Sequence, residues 1–65
     1  MTERDLLLTP GCVVLIAAFD DVPEHSFRVE EVFEDCVTGT ALTGPLAGEY
    51  GEPDIELILR VLSTE

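Results

Sequence analysis

The stretch Cys12 to Phe19, CVVLIAAF, is the strongest constraint on how this chain can fold. It is aliphatic and rich in β-branched residues, and at eight residues it reads as a strand rather than a helix. It is far short of the roughly 20 residues that span a bilayer. Strand geometry sends alternate side chains to opposite faces. One face then carries Cys12, Val14, Ile16 and Ala18, and the other carries Val13, Leu15, Ala17 and Phe19. Both sets are apolar, so the strand is either covered on both sides or lies at an interface. The chain has 65 residues, enough for one core and not for two. A domain of this size buries only roughly 60% of its unfolded surface. The fold around Cys12–Phe19 is therefore expected to be small and to carry surplus apolar surface.

The rest of the chain supplies partners for that strand. Thr9-Pro10-Gly11 is a turn signal before it, and Asp20 to His25, DDVPEH, is a polar connection after it. SFRVEEVFE then alternates, with Phe27 and Val29 on one side and Arg28 and Glu30 on the other, until the pattern slips at Glu31. One inserted residue near Glu30-Glu31, a β-bulge, would return Val32 to the Phe27/Val29 face and bend the strand. Glu34-Asp35 reads as the tip of a tight hairpin. Cys36 to Leu42, CVTGTAL, is the return strand, with Val37 and Ala41 or Cys36 and Leu42 facing inward and Gly39 marking a bend.

The segment TGPLAGEYGEPD, Thr43 to Asp54, reads as a long, glycine-hinged crossing, with Leu46 and Tyr50 packing it onto the fold. PDIELILRVL fits two patterns. Ile55, Ile58, Leu59 and Leu62 would line a helix, while Ile55, Leu57, Leu59 and Val61 would line a strand. The β-branched content and the preceding hairpin favour an antiparallel strand. The expected fold is all-β, a single domain over residues 1–65. It comprises a lead-in over 1–9, a strongly bent antiparallel sheet over 10–62 and a tail over 63–65. The alternative is an α+β fold with a C-terminal helix over 54–63.

This order of a lone first strand, a polar connection, a bent hairpin, a long loop and a final strand resembles the small SH3-like barrels. The resemblance covers about residues 10 to 62 and rests on pattern, so it implies a barrel and transfers no binding residue. Proline-peptide binders of that fold display an aromatic groove, whereas this chain has no tryptophan and a single tyrosine.

Charge narrows the function. Fourteen acidic residues stand against three arginines and no lysine, a formal net charge of −11. Nucleic acid and anionic membrane both require cationic side chains, so neither is an expected partner. The same field favours and steers a basic protein. At 46% apolar residues and positive mean hydropathy, the composition is that of a folded chain. Met1 to Asp5 carries Glu3 and Asp5 where a secretion signal would be positive, and the expected location is cytoplasmic. In that compartment Cys12 and Cys36, which match no metal or redox spacing, are expected as free thiols.

No constellation of residues points to catalysis. His25 beside Asp20, Asp21 and Glu24 reads as a solvated acidic turn, since no second histidine exists to build a zinc site and the spacing is not that of a calcium loop. Cys12 or Cys36 with His25 would supply nucleophile and base, but acidic surroundings raise a thiol pKa. Neither cofactor nor metal is expected. The glycines of Thr43–Asp54 could cradle a phosphate, but Glu49, Glu52 and Asp54 would repel one. The expected role is a non-catalytic interaction module or accessory subunit docking a basic protein. Its candidate partner-binding residues are Glu49, Tyr50, Glu52 and Asp54, with Glu34 and Asp35. A tyrosine amid acids suits an arginine-rich partner. The alternative role is an acidic mimic of nucleic acid that blocks a DNA- or RNA-binding protein. The apolar first and last strands suggest a homodimer.

Overall fold

The computed structural model describes residues 8–63, so most of the expected lead-in and the end of the expected tail lie outside the described residues. Five strands follow in order: β1 Val13–Ile16, β2 His25–Val32, β3 Val37–Ala41, β4 Tyr50–Gly51 and β5 Ile58–Ser63. A 3-10 turn, Ile55–Leu57, leads directly into β5. All strands belong to one sheet with the order β4-β3-β2-β1-β5, and every neighbouring pair is antiparallel. The fold is all-β, and no α-helix occurs among the described residues. No ladder joins β4 to β5, so the sheet is open rather than closed into the expected barrel. Two residues of β4 offer too few backbone groups to extend such a ladder.

Strand β1, between β2 and β5, behaves as its alternation dictates. Cys12, Val14 and Ile16 are fully buried, while Val13, Leu15 and Ala17 on the other face are only half covered. The regular strand is four residues, shorter than the eight-residue apolar run. Thr9 to Gly11 forms the expected turn, with Gly11 at φ 95° and the Cys12 amide donating to the Thr9 carbonyl at 3.1 Å. Phe27 and Val29 of β2, Val37 and Ala41 of β3, and Ile58 of β5 complete the core. Of the two inward sets open for β3, the one realised is Val37 with Ala41, and Leu42 is exposed.

The bulge in β2 lies where the pattern slips. Val29 pairs with Gly39 and Glu31 with Thr38, which leaves Glu30 as the extra residue. Register is thereby restored, since Val32 stands opposite the buried Val37. Val32 is nevertheless 37% exposed, against expectation, because it ends the strand beyond the reach of the core. Opposite Val29, Gly39 cannot be replaced. A Cβ there would run into the Arg28 carbonyl and lie 2.9 Å from Phe27 Cε1.

The C-terminal segment departs furthest from the reading of its sequence. The alternative helix over 54–63 is absent; only Ile55–Leu57 turn, as 3-10, before β5 begins. That turn resets the strand phase, so Ile58 enters the core and Leu59 is 49% exposed, the reverse of the expected alternation at this pair, while Ile55, Leu57 and Val61 of the expected set still pack against the core. Opposite β1, Ile16 pairs with Ile58, Leu15 with Arg60, Val14 with Val61 and Val13 with Ser63. The register skips Leu59 and Leu62, so β5 carries two bulges and each exposes a leucine.

His25 also departs from its expected solvated turn. It opens β2 and is buried, with Nδ1 2.9 Å from the Pro23 carbonyl oxygen and its ring centroid 6.3 Å from that of Phe19. Asp20, Asp21 and Glu24 remain exposed.

Candidate functional site

Two acidic segments distant in sequence converge at the β3–β4 end of the sheet. The first is the β2–β3 hairpin, whose tip is Glu34-Asp35, closed by the Phe33 amide donating to the Cys36 carbonyl at 2.8 Å. The second is Glu49 to Asp54, which holds β4 and the lead into the 3-10 turn. Backbone bonds clamp them together. The Ile55 amide donates to the Asp35 carbonyl at 3.0 Å, and the Val37 amide donates to the Pro53 carbonyl at 3.1 Å. Cys36 and Asp54 form an isolated bridge between the two segments. Glu34, Asp35, Glu52 and Asp54 thus share one end of the molecule.

The loop preceding β4 is ordered by its own turns and does not simply cross to the last strand. Gly44 and Gly48 take φ values of 83° and 88°, a region that costs glycine nothing. The Gly48 amide returns to the Ala41 carbonyl at 2.7 Å, and the Glu49 amide to the Leu46 carbonyl at 2.9 Å. Thr43 Oγ1 accepts from the Ser26 amide at 3.0 Å and ties the loop back to β2. The result is a β3–β4 hairpin, with a strand at Tyr50–Gly51 that the sequence pattern does not reveal. Leu46 packs against the core as expected. Tyr50 does not: it is 64% exposed, because pairing with Thr40 on an edge strand carries its ring away from the core.

Tyr50 forms a ridge. Its hydroxyl donates to Glu52 Oε2 at 3.0 Å, and the ring stands between two depressions that both residues line. One is a groove of about 350 Å³. Its floor is Phe19, Phe27, Ala41, Leu46 and Leu57, and Glu49, Glu52, Pro53 and Asp54 stand around its rim. The other, about 410 Å³, is a shallower depression lined by Phe33, Cys36 and Thr38 with Glu31 and Asp35. The floor of the first groove is possible because glycines face the Phe27 ring. Gly39 and Gly51 pair directly, and the ring edge lies against both.

The electrostatics follow from this crowding. Cys36 has a raised thiol pKa, first from desolvation and then from Asp35, Glu52 and Asp54 around it. Tyr50 has a raised phenol pKa, chiefly because its hydroxyl donates to Glu52, a bond that is lost on ionisation. Both shifts favour the protonated forms of the thiol and the phenol. Cys12 and Cys36 are free thiols, and Cys12 is fully buried. Among the described residues no group of three or more His, Cys, Asp and Glu side chains is placed to hold a metal ion. Among them, too, no helix is long and apolar enough to cross a membrane.

Of the six candidate residues, Glu49, Tyr50, Glu52 and Asp54 surround the groove, while Glu34 and Asp35 stand beside Asp54 along a neighbouring depression. Sequence reasoning missed Phe19, Phe33 and Leu57 as parts of this surface. A signal was available for two of them. Phe19 immediately precedes Asp20-Asp21, and Phe33 immediately precedes Glu34-Asp35, so each aromatic residue stands at the edge of an acidic turn. Leu57 reaches the groove only through the 3-10 turn. Comparison of the chain with protein-family models, with curated proteins and with solved structures returned no significant match.

Proposed function

We propose that this chain is a non-catalytic interaction module or accessory subunit whose acidic end docks a basic partner protein. The observation that carries the reading is the convergence of Glu34-Asp35 with Glu49–Asp54 across the Ile55–Asp35 and Val37–Pro53 backbone bonds. Carboxylates gathered from two segments around exposed Tyr50 and Phe33 offer charge and apolar contact together, the combination found in protein interfaces. The order of elements along the chain resembles that of the SH3-like small barrels, although the sheet here is open, and such a fold does not by itself fix a function. The alternative role, mimicry of nucleic acid, calls for carboxylates strung along a backbone-like line. A cluster bordered by aromatic residues fits it less well. The exposed Leu59 and Leu62 of β5 support a second contact, with another copy of the chain.

The test compares two variants of equal charge. One carries Glu34→Gln, Asp35→Asn, Glu52→Gln and Asp54→Asn; the other carries Asp20→Asn, Asp21→Asn, Glu24→Gln and Glu30→Gln. Binding of a lysine- and arginine-rich peptide, measured by isothermal titration at low salt, is expected to weaken at least about tenfold in the first variant and less than about threefold in the second. Equal weakening in both would reduce the interaction to net charge and remove the acidic end as a site.

A further inference from the structure

We infer that the groove beside Tyr50 receives one lysine or arginine side chain of the basic partner, its aliphatic stem on the floor and its charged head at the rim. The inference rests on the proposed docking function and names what enters the site. Phe19, Leu46 and Leu57 form an apolar floor, and Glu49, Glu52 and Asp54 rise beside it. A long cationic side chain matches both halves, since its methylenes bury on apolar surface while its head keeps polar contacts. Other occupants match only one half. An anion meets the carboxylates, a purely apolar side chain desolvates the rim without compensation, and a short cation leaves the floor wet. At about 350 Å³ the groove is near the lower end of ligand-sized cavities, which suits one extended side chain better than a folded element.

The rim is also held in place before any ligand arrives. Tyr50 is bonded to Glu52, which fixes one wall, and the Ile55–Asp35 and Val37–Pro53 bonds fix the segment carrying Asp54. Fixed groups lose little freedom on binding. The phenyl ring of Tyr50 lines the groove, where contact with a cation would add to that of the carboxylates.

Three peptides of identical flanking sequence, glycine and serine only, separate the parts of this fit. The central residue is lysine in the first, norleucine in the second and 2,3-diaminopropionate in the third. Norleucine keeps most of the stem and loses the charge, whereas diaminopropionate, measured at a mildly acidic pH where its amine is protonated and the rim carboxylates stay ionised, keeps the charge and loses three methylenes. Each fully buried methylene is worth about fourfold in affinity, so a stem lying in an open groove gives about tenfold. The expected result, read from amide chemical shifts of labelled protein, is binding of the lysine peptide about tenfold tighter than either of the others. The shifts should centre on Leu46, Tyr50 and Leu57, and Glu49→Gln with Glu52→Gln, both at exposed positions, should abolish the preference for lysine over norleucine.

Equal affinities for lysine and diaminopropionate, or for lysine and norleucine, would overturn the inference, as would shifts centred away from the groove. Those outcomes leave the docking function intact if a basic peptide still depends on the acidic end. Both fall together only if that dependence is missing as well.

Discussion

Strand β4 at one edge of the sheet is two residues long and flanked by Glu49, Glu52 and Asp54, whereas β5 at the other edge runs six residues and exposes two leucines. An unpaired edge invites another strand, and proteins suppress this by shortening, charging or bulging the edge. The two edges of this sheet use different members of that set. Charge and brevity protect β4, and the same carboxylates then form the rim of the candidate site. Bulges at Leu59 and Leu62 break the regular ladder of β5, so its free edge is a poor template for strand addition although its side chains are apolar. Protection by charge leaves a surface suited to a basic partner. Protection by bulging leaves one suited to apolar packing, which is where a second copy is expected.

The largest expected effect tests the β4 side, where Gly39 and Gly51 face each other across β3 and β4. A Cβ at Gly39 would collide with the Arg28 carbonyl, while one at Gly51 would rest 3.5 Å from Phe27 Cε2 in ordinary contact. Gly39→Val is expected to leave the chain unfolded at 25 °C by circular dichroism. Gly51→Ala, at a residue whose φ is not positive, should be neutral or stabilise by up to about 1 kcal/mol. Similar losses at both positions would mean that β4 does not pair with β3 in this register.

Strand β5 supplies the next test. Ile58→Ala removes a fully buried side chain and should cost about 2–5 kcal/mol in denaturant unfolding. Leu59→Ser and Leu62→Ser should each change monomer stability by no more than about 0.5 kcal/mol. In light scattering the parent chain is expected to be dimeric at high micromolar concentration and the double serine variant monomeric. A costly Leu59→Ser combined with a harmless Ile58→Ala would reverse the register at the first bulge.

The smallest effect is alkaline. Cys36 and Tyr50 both have raised pKa values in the folded chain, so folding favours their protonated forms. Their contribution to stability is complete below the ordinary thiol pKa of about 8.5 and is lost as pH rises through the raised folded values. The melting temperature should therefore hold between neutrality and that point and decline above it. Cys36→Ala and Tyr50→Phe together should flatten the decline. An unchanged slope in the double variant would place its origin elsewhere, in self-repulsion of the acidic chain.

Legibility differed between the two edges for a physical reason. The bulge at Glu30 could be read because one alternating run, Phe27 to Val32, carries both phases with charged residues marking the break. The bulges in β5 could not, because Ile58, Leu59, Val61 and Leu62 are all apolar, and nothing in their identities says which is extra. Strand β4 was hidden among turn residues, since a two-residue strand has no period to detect. The six candidate residues could be named from charge and the lone tyrosine. Their grouping with Phe19 and Leu57 depends on which turns bring the loops together.

By itself the amino-acid sequence determined that the chain is all-β, that β1 is apolar on both faces, that the β2–β3 hairpin turns at Glu34-Asp35, and that the net charge is strongly negative. These depend on local alternation, turn chemistry and summed charge, which act within a few residues or over the whole molecule regardless of fold. Tertiary structure alone decided that the sheet stays open, that Tyr50 points outward, that His25 is buried and that β5 exposes its leucines. Those outcomes depend on which backbone groups find partners across the sheet. A single residue of register, set by the 3-10 turn at Ile55–Leu57, puts Ile58 inward and Leu59 outward, until the bulge at Leu59 returns Val61 to the core side.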